Sequence, residues 1–208
     1  AVGSVRHKVA GPAPEARVAA FVSGADFDYV HGIARSHEYD AAHERRILFV
    51  RGAYWIVSDA LAGASPHRYD LRFHLDERAL GRVAADHDAD TLRYVCPNLL
   101  VAQAADGDTV ACIEDGFVSY RYGEKHAAPV LRFTRQAEAT AFHTVLLPFR
   151  DATPRVCVFE DSALRHARGF VVTAEVEAGL RTVDYVLFPE TEEEVDWPLA
   201  GARFRGRF

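Results

Sequence analysis

The sequence predicts an all-β protein: a large two-sheet antiparallel β-sandwich with a small β unit at its C-terminal end. Three observations carry this expectation. Short runs rich in β-branched and aromatic residues recur along the whole chain, turn residues separate them, and no helix-length stretch shows a 3.6-residue apolar period. On the order of fourteen such runs can be counted, more than the about seven to nine strands of an immunoglobulin-type sandwich. No repeat of fixed period is present, which argues against a propeller. The expected division is residues 1–150 for the main sandwich and 151–208 for a smaller β extension packed on it.

Taken in order, "RVAAFVSG" and "FDYVHGIARS" are the first strand-like runs. In "HERRILFVRGAYWIVSDAL", Ile47, Leu48, Phe49 and Val50 are apolar on both faces of a strand, so a central position covered from both sides is expected. Arg51-Gly52-Ala53 then supplies a reversal into Tyr54-Trp55-Ile56-Val57, which predicts a hairpin. "HRYDLRFHL" alternates: Tyr69, Leu71, Phe73 and Leu75 fall on one face, and Arg68, Asp70, Arg72 and His74 on the other. The first set is expected between two sheets and the second on the open face. An Asp106-Gly107 turn divides the next pair of runs, and the pattern continues through "PVLRFTR", "FHTVLLPF", "RVCVFED" and "GFVVTAEVEAGLRTVDYVLFPE".

Composition narrows the function classes. With 208 residues and 49% hydrophobic content, the chain can bury a substantial core. No apolar run reaches about 18 residues and no charged start leads into an apolar stretch, so neither a membrane span nor a retained signal peptide is expected. The absence of methionine and the start at Ala1 are expected of a processed chain or a piece of a longer one. A net charge of -6 argues against nucleic-acid binding. The charge is uneven, however: Arg35–Arg82 holds eight arginines against seven acids, whereas Val83–Ala202 holds ten basic residues against twenty acids. An anionic ligand is better received by the first part. Cys96, Cys112 and Cys157 lie far apart in apolar runs, without the short spacing of zinc or redox motifs, and are expected to be buried thiols.

His37-Glu38 and His43-Glu44 each begin like the zinc-binding H-E-x-x-H helix, but Ala41 and Ile47 stand where the second histidine is required. No phosphate-binding glycine loop and no G-x-S-x-G elbow occurs. "TEEEVDWP", Thr191–Pro198, reads as a solvated acidic loop, because a calcium site needs oxygens converging from defined positions. The segment from His31 to Arg46 is denser in chemistry, with His31, Arg35, His37, Tyr39, His43, Arg45 and Arg46. Such residues suit the handling of a uronate: one group neutralises the carboxylate, one removes the adjacent proton, and one protonates the leaving oxygen. The same residues also suit the polar ends of strands, their arginine stems covering apolar surface.

Segment order then matters more than any one segment. "HEYDAAHERRILFVRGAYWIVSDAL", "SPHRYDLRFHLD" and "GFVSYRYGEKHAAPVLRFTRQAEATAFHTVLLPF" together resemble the C-terminal β region of heparinase II/III-like polysaccharide lyases. The matching residues are Tyr39, His43, Arg45, Asp59, His74, Leu75, Tyr122, Gly123, Thr144 and Pro148, and the likeness runs from about Ala16 to Phe149. The resemblance implies a β-sandwich that accompanies an N-terminal α/α toroid in an enzyme cleaving uronate-containing polysaccharides, such as glycosaminoglycans or alginate, by β-elimination. It places the catalytic tyrosine and histidine and the His-x-His-x-Asp metal segment before residue 1. No catalytic residue and no cofactor is therefore expected in this chain, with zinc reserved for the full-length family member. The implied partners are an acidic polysaccharide and the toroid, with no nucleic acid and no membrane, in a periplasmic or secreted setting. The expected glycan contacts are His37, Tyr39, His43 and Arg46. A free-standing carbohydrate-binding or scaffold module is the alternative.

Overall fold

The computed structural model describes residues 14–105, 108–151, 153–160, 167–177, 180–189, 195–199 and 202–206. The strands are β1 (Glu15–Ser23), β2 (Phe27–Arg35), β3 (Ala41–Val50), β4 (Tyr54–His74), β5 (Ala84–His87), β6 (Thr91–Val95) and β7 (Leu99–Ala104). They continue with β8 (Val110–Val118), β9 (His126–Pro148), β10 (Arg155–Glu160), β11 (Ala167–Glu177), β12 (Leu180–Pro189), β13 (Val195–Leu199) and β14 (Ala202–Gly206). A single 3₁₀ turn, Glu77–Ala79, is the one helical element among the described residues.

The main sheet has nine strands in the order β1-β2-β3-β4-β9-β7-β6-β5, with β8 also paired to β9. Two of its members are unusually long, β4 with 21 residues and β9 with 23. Trp55–Ala62 pairs antiparallel with Ala139–Leu146; the register then slips between Ala62 and His67, and His67–His74 pairs with Val130–Ala137. Past the slip β9 exchanges its second partner, from β7 to β8. The far halves of β4 and β9, together with β8, form a flap that folds over one face of the sheet from which they emerge.

The two layers meet through side chains that the period-2 pattern points inward. Tyr69, Leu71, Leu131 and Phe133 of the flap pack with Tyr94, Val101 and Phe142 of the main sheet. On the opposite face the three-stranded sheet β10-β11-β12 supplies Val156, Val158, Val172, Val186 and Phe188, which pack on Ile56, Leu100, Ala102, Val145 and Leu147. The middle of the main sheet is therefore covered twice. This explains why "FHTVLLPF" is apolar on both faces: Phe142 and Val145 lie on opposite sides of β9 and are each 1% exposed.

The all-β antiparallel sandwich read from the sequence is the fold observed. Tyr69, Leu71 and Leu75 are buried, Phe73 is half-buried against the same core, and Arg68, Arg72 and His74 are exposed on the other face. The hairpin at Arg51-Gly52-Ala53 is present, with Gly52 at φ 76°. Three expectations need correction. Ile47–Val50 is half-buried rather than covered on both sides, because β3 lies outside the strands that the flap covers. Cys96 is buried, and that burial pushes its thiol up to about 11, whereas Cys112 is only half-buried. Within the segment read as an acidic loop, Val195–Leu199 is a strand paired with Ala202–Gly206, while residues 190–194 lie outside the described residues. The Asp106-Gly107 turn and the Cys157 side chain also lie outside them.

Close packing of the flap rests on a glycine. A Cβ built on Gly116 would stand 2.4 Å from Cγ2 of Val130, itself 2% exposed, whereas one on Gly32 meets nothing nearer than a backbone oxygen at 4.0 Å. Gly116→Ala should therefore cost about 1–3 kcal/mol, and Gly32→Ala should leave the urea unfolding midpoint unchanged or raised. Equal midpoints for the two variants would show that the flap does not pack as described.

Candidate functional site

The polar residues at the start of β3 are sorted by strand alternation. His43 and Arg45 point to the flap side of the main sheet, and Glu44 and Arg46 to the other. The hairpin register places Arg45 opposite Asp59 and His43 opposite Leu61. Asp59 is 1% exposed, a position that a carboxylate occupies only when its oxygens are bonded. Both oxygens are. His43 donates from Nε2 to Oδ1 at 2.5 Å, and Arg45 donates from Nε to Oδ1 at 2.6 Å and from Nη2 to Oδ2 at 3.1 Å. Burial pushes the Asp59 carboxyl up, but the hydrogen bonds from His43 and Arg45 and the adjacent positive charge outweigh it, so the group lies below its usual value. It is a carboxylate at neutral pH. The His43 nitrogen facing it, Nε2, therefore carries a proton and donates.

This group forms the floor of a cleft of about 340 Å³ whose walls include Leu61, Phe142 and the flap segment Tyr69–Arg72. The flap wall is a free strand edge: His67–His74 pairs with β9 on one side, and no strand among the described residues pairs with the other. His43 and Arg45 keep 37% and 43% of their side chains exposed toward this space. On the flap wall, Arg72 is held by Asp70 at 3.0 Å and Glu114 at 2.9 Å.

Of the four residues expected to contact glycan, His43 lies in this cleft. His37 and Tyr39 are exposed on the loop leading into β3, where neighbouring Asp40 bonds His67 of the flap edge. Arg46 lies on the opposite face, 8% exposed, and donates to Glu44 at 3.3 Å; His31 contacts the same carboxylate at 3.3 Å. Beside Arg46, burial raises the Tyr29 phenol against the lowering effect of the guanidinium. The remaining matched positions are spread through the fold. Leu75 is core, Thr144 Oγ1 donates to buried Gln103, Pro148 pairs with Leu99, and Tyr122 is fully exposed before Gly123 at φ 84°. Among the described residues no three His, Cys, Asp or Glu side chains converge as a metal site. No described helix is long and apolar enough to cross a membrane.

The profile of the heparinase II/III-like C-terminal domain matches residues 6–160. The chain belongs to the heparinase II/III-like family. Solved structures agree at the level of fold. The heparan sulfate lyase HepC from Pedobacter heparinus superposes with a TM-score of 0.67 at 18% identity, over 87% of this chain and 29% of its own. A crystal structure of heparinase III gives 0.68 at 16% identity, over 84% of this chain and 27% of its own, and a second heparinase III gives 0.66 at 13%, over 84% and 28%. The chain thus spans less than a third of the length of these relatives. No curated protein sequence matches it.

The His43–Asp59–Arg45 group in this family member has a measurable signature. Its carboxyl lies lower in the folded chain than in the unfolded one, so its contribution to stability is present above the unfolded value near 3.9. That contribution is lost as pH falls through the lower folded value. Asp59→Asn should cost about 1–3 kcal/mol at pH 7 and flatten the acid limb of the stability curve below about pH 4. Urea titrations at several pH values check both, and an unchanged acid limb would assign the acid sensitivity to other carboxylates.

Proposed function

We propose that this chain is the β-sandwich part of a polysaccharide lyase acting by β-elimination on uronate-containing polysaccharides. In this reading it supplies binding surface and support, while the groups that remove and donate the proton lie outside it. The observation that carries the proposal is the family match over residues 6–160, together with a span of less than a third of the solved lyases. The cleft geometry supports the division of labour. β-Elimination needs a base near the sugar C5, an acid near the leaving oxygen, and neutralisation of the carboxylate. The cleft presents His43 and Arg45 already bonded to Asp59, and the nearby Tyr69 hydroxyl is bonded to the Glu138 carbonyl at 3.3 Å. The proposed glycan contact centres on His43, with exposed His37 and Tyr39 on the adjoining loop; buried Arg46 serves the opposite face.

An eliminase assay following the ultraviolet absorbance of unsaturated uronate tests the proposal on heparan sulfate, heparin and alginate. The full-length gene product should form product from at least one of them, and the 208-residue chain from none. Product from the short chain would place the catalytic groups within it. Absence of product from the full-length protein on every uronate polymer would overturn the lyase reading.

A further inference from the structure

The three-stranded layer ends at a free edge. β12 is hydrogen-bonded to β11 along one side, and no strand among the described residues pairs with the other. The strand that follows it in sequence, β13, pairs with β14 instead. Beside that edge runs a groove of about 430 Å³, with residues 184–187 as its wall and Phe27, Leu48 and Val50 as its floor. The pairing of Phe27 with Val50, and of Val50 with Tyr54, puts the floor on the face of the main sheet away from the flap.

The main sheet continues past this edge. Phe188, near the end of β12, stacks on Tyr29 with ring centroids 6.1 Å apart. Beyond it lie the rest of β2 and all of β1, roughly 10 Å of sheet at two strand spacings. The face is apolar and part open: Phe27 is 43% exposed, Val22 beside Tyr29 is 48% exposed, and Leu48 and Val50 are half-buried. Leu48 and Val50 belong to a run that is apolar on both faces, the pattern of a strand covered twice. Their open side is this groove.

One strand laid beside β12 meets both features at once. Its backbone takes the unpaired N–H and C=O groups of the edge, and its alternate side chains cover the floor. Charge narrows its composition. Asp26, in the β1–β2 turn, lines the groove, and its carboxylate has no hydrogen-bond or ion-pair partner among the described residues. Asp184 lines it too, but accepts from the buried Tyr54 hydroxyl and so anchors the wall to the main sheet. A Lys or Arg side chain suits the unpartnered carboxylate. The stretch of chain that holds β12, residues 83–202, has twenty acids against ten basic residues, which also favours a basic partner. A second copy does not fit, because antiparallel β12–β12 pairing would drive the projecting β1 and β2 of each protomer into those of the other.

We propose that the groove beside β12 is a strand-addition site for a separate polypeptide, whose segment is extended, apolar at alternate positions and basic opposite Asp26. The bound segment becomes the fourth strand of the small layer. The site is independent of the lyase reading, since it lies on the face away from the cleft and uses none of the cleft residues.

Chemical-shift titration of the 208-residue chain with a capped nine-residue peptide that alternates valine with lysine tests the site. A Kd of about 0.1–1 mM is expected, with shifts centred on Asp26, Phe27 and residues 183–187. A backbone N-methylated copy of the peptide should bind at least about tenfold more weakly. Asp26→Lys should weaken the lysine peptide about two- to fivefold, strengthen a peptide with glutamate in place of lysine, and leave the thermal midpoint unchanged. Absence of binding, equal binding of the N-methylated copy, or indifference to both charge reversals overturns the site. So does a concentration-dependent dimer protected at β12 in hydrogen exchange, which would make a second copy the occupant. A full-length protein that excludes the peptide also overturns it, because the rest of its own chain would then fill the groove.

Discussion

The pairing of β4 with β9 is the constraint on which the rest of the fold depends. These two strands hydrogen-bond on both sides of a register slip, so a single pair of chain segments belongs to both layers of the sandwich. Two independent sheets could slide past one another; here the slip between Ala62 and His67 fixes how far the flap returns over the main sheet. Gly63 lies within the slip, where a Cβ would come within 2.6 Å of the His67 ring. Asp40 bonds that same histidine, which ties the loop before β3 to the bend. The position of the loop, the bend and the cleft is thus set by one local irregularity.

Double coverage of the centre makes every polar group there expensive to leave unbonded. Thr144 and Gln103 meet each other on the flap side, and Arg135, bonded at 2.7 Å to Thr109 beside it in the flap, reaches across the layers to stack over Phe142. Asp59 belongs to this same interior layer. Its partners differ in being half-exposed, so the hydrogen bonds that permit its burial also hold two side chains at the cleft surface. Stability and site geometry are coupled through that carboxylate: whatever weakens its bonds releases His43 and Arg45 together.

Much of this was legible in the sequence because strand alternation is a strict rule. The face of Tyr69, Leu71 and Leu75 followed directly from their spacing. So does the Arg45–Asp59 contact, once the turn at Arg51-Gly52-Ala53 is located and residues are counted back from Val50 opposite Tyr54. The same counting separates Arg46 from His43. Three features were less accessible. The register slip in "AGASPH" has no pattern distinguishing a bend within a strand from a loop between two strands, so one long β4 reads as two elements. The half-burial of Ile47–Val50 depends on how far the flap extends, which is a tertiary property. The shallow concavity over β1 and β2 depends on Gly32 and Ala34 being small, and a small residue in a strand acquires meaning only when its neighbours across the sheet are known.

The electrostatic state of the cleft bears on what kind of work it suits. Arg45 and Asp59 cancel, and Arg72 on the flap wall is matched by Asp70 and Glu114. A polyanion approaching a chain of net charge -6 gains little long-range attraction here. An arginine already bonded to a buried carboxylate can hold a sugar carboxylate, but it is a poor source of the strong, unshared positive field that stabilises charge as a proton leaves carbon. The floor of the cleft is therefore close to electrically neutral. That follows from Asp59 itself, because the carboxylate that fixes the geometry also offsets the charge of the guanidinium it holds.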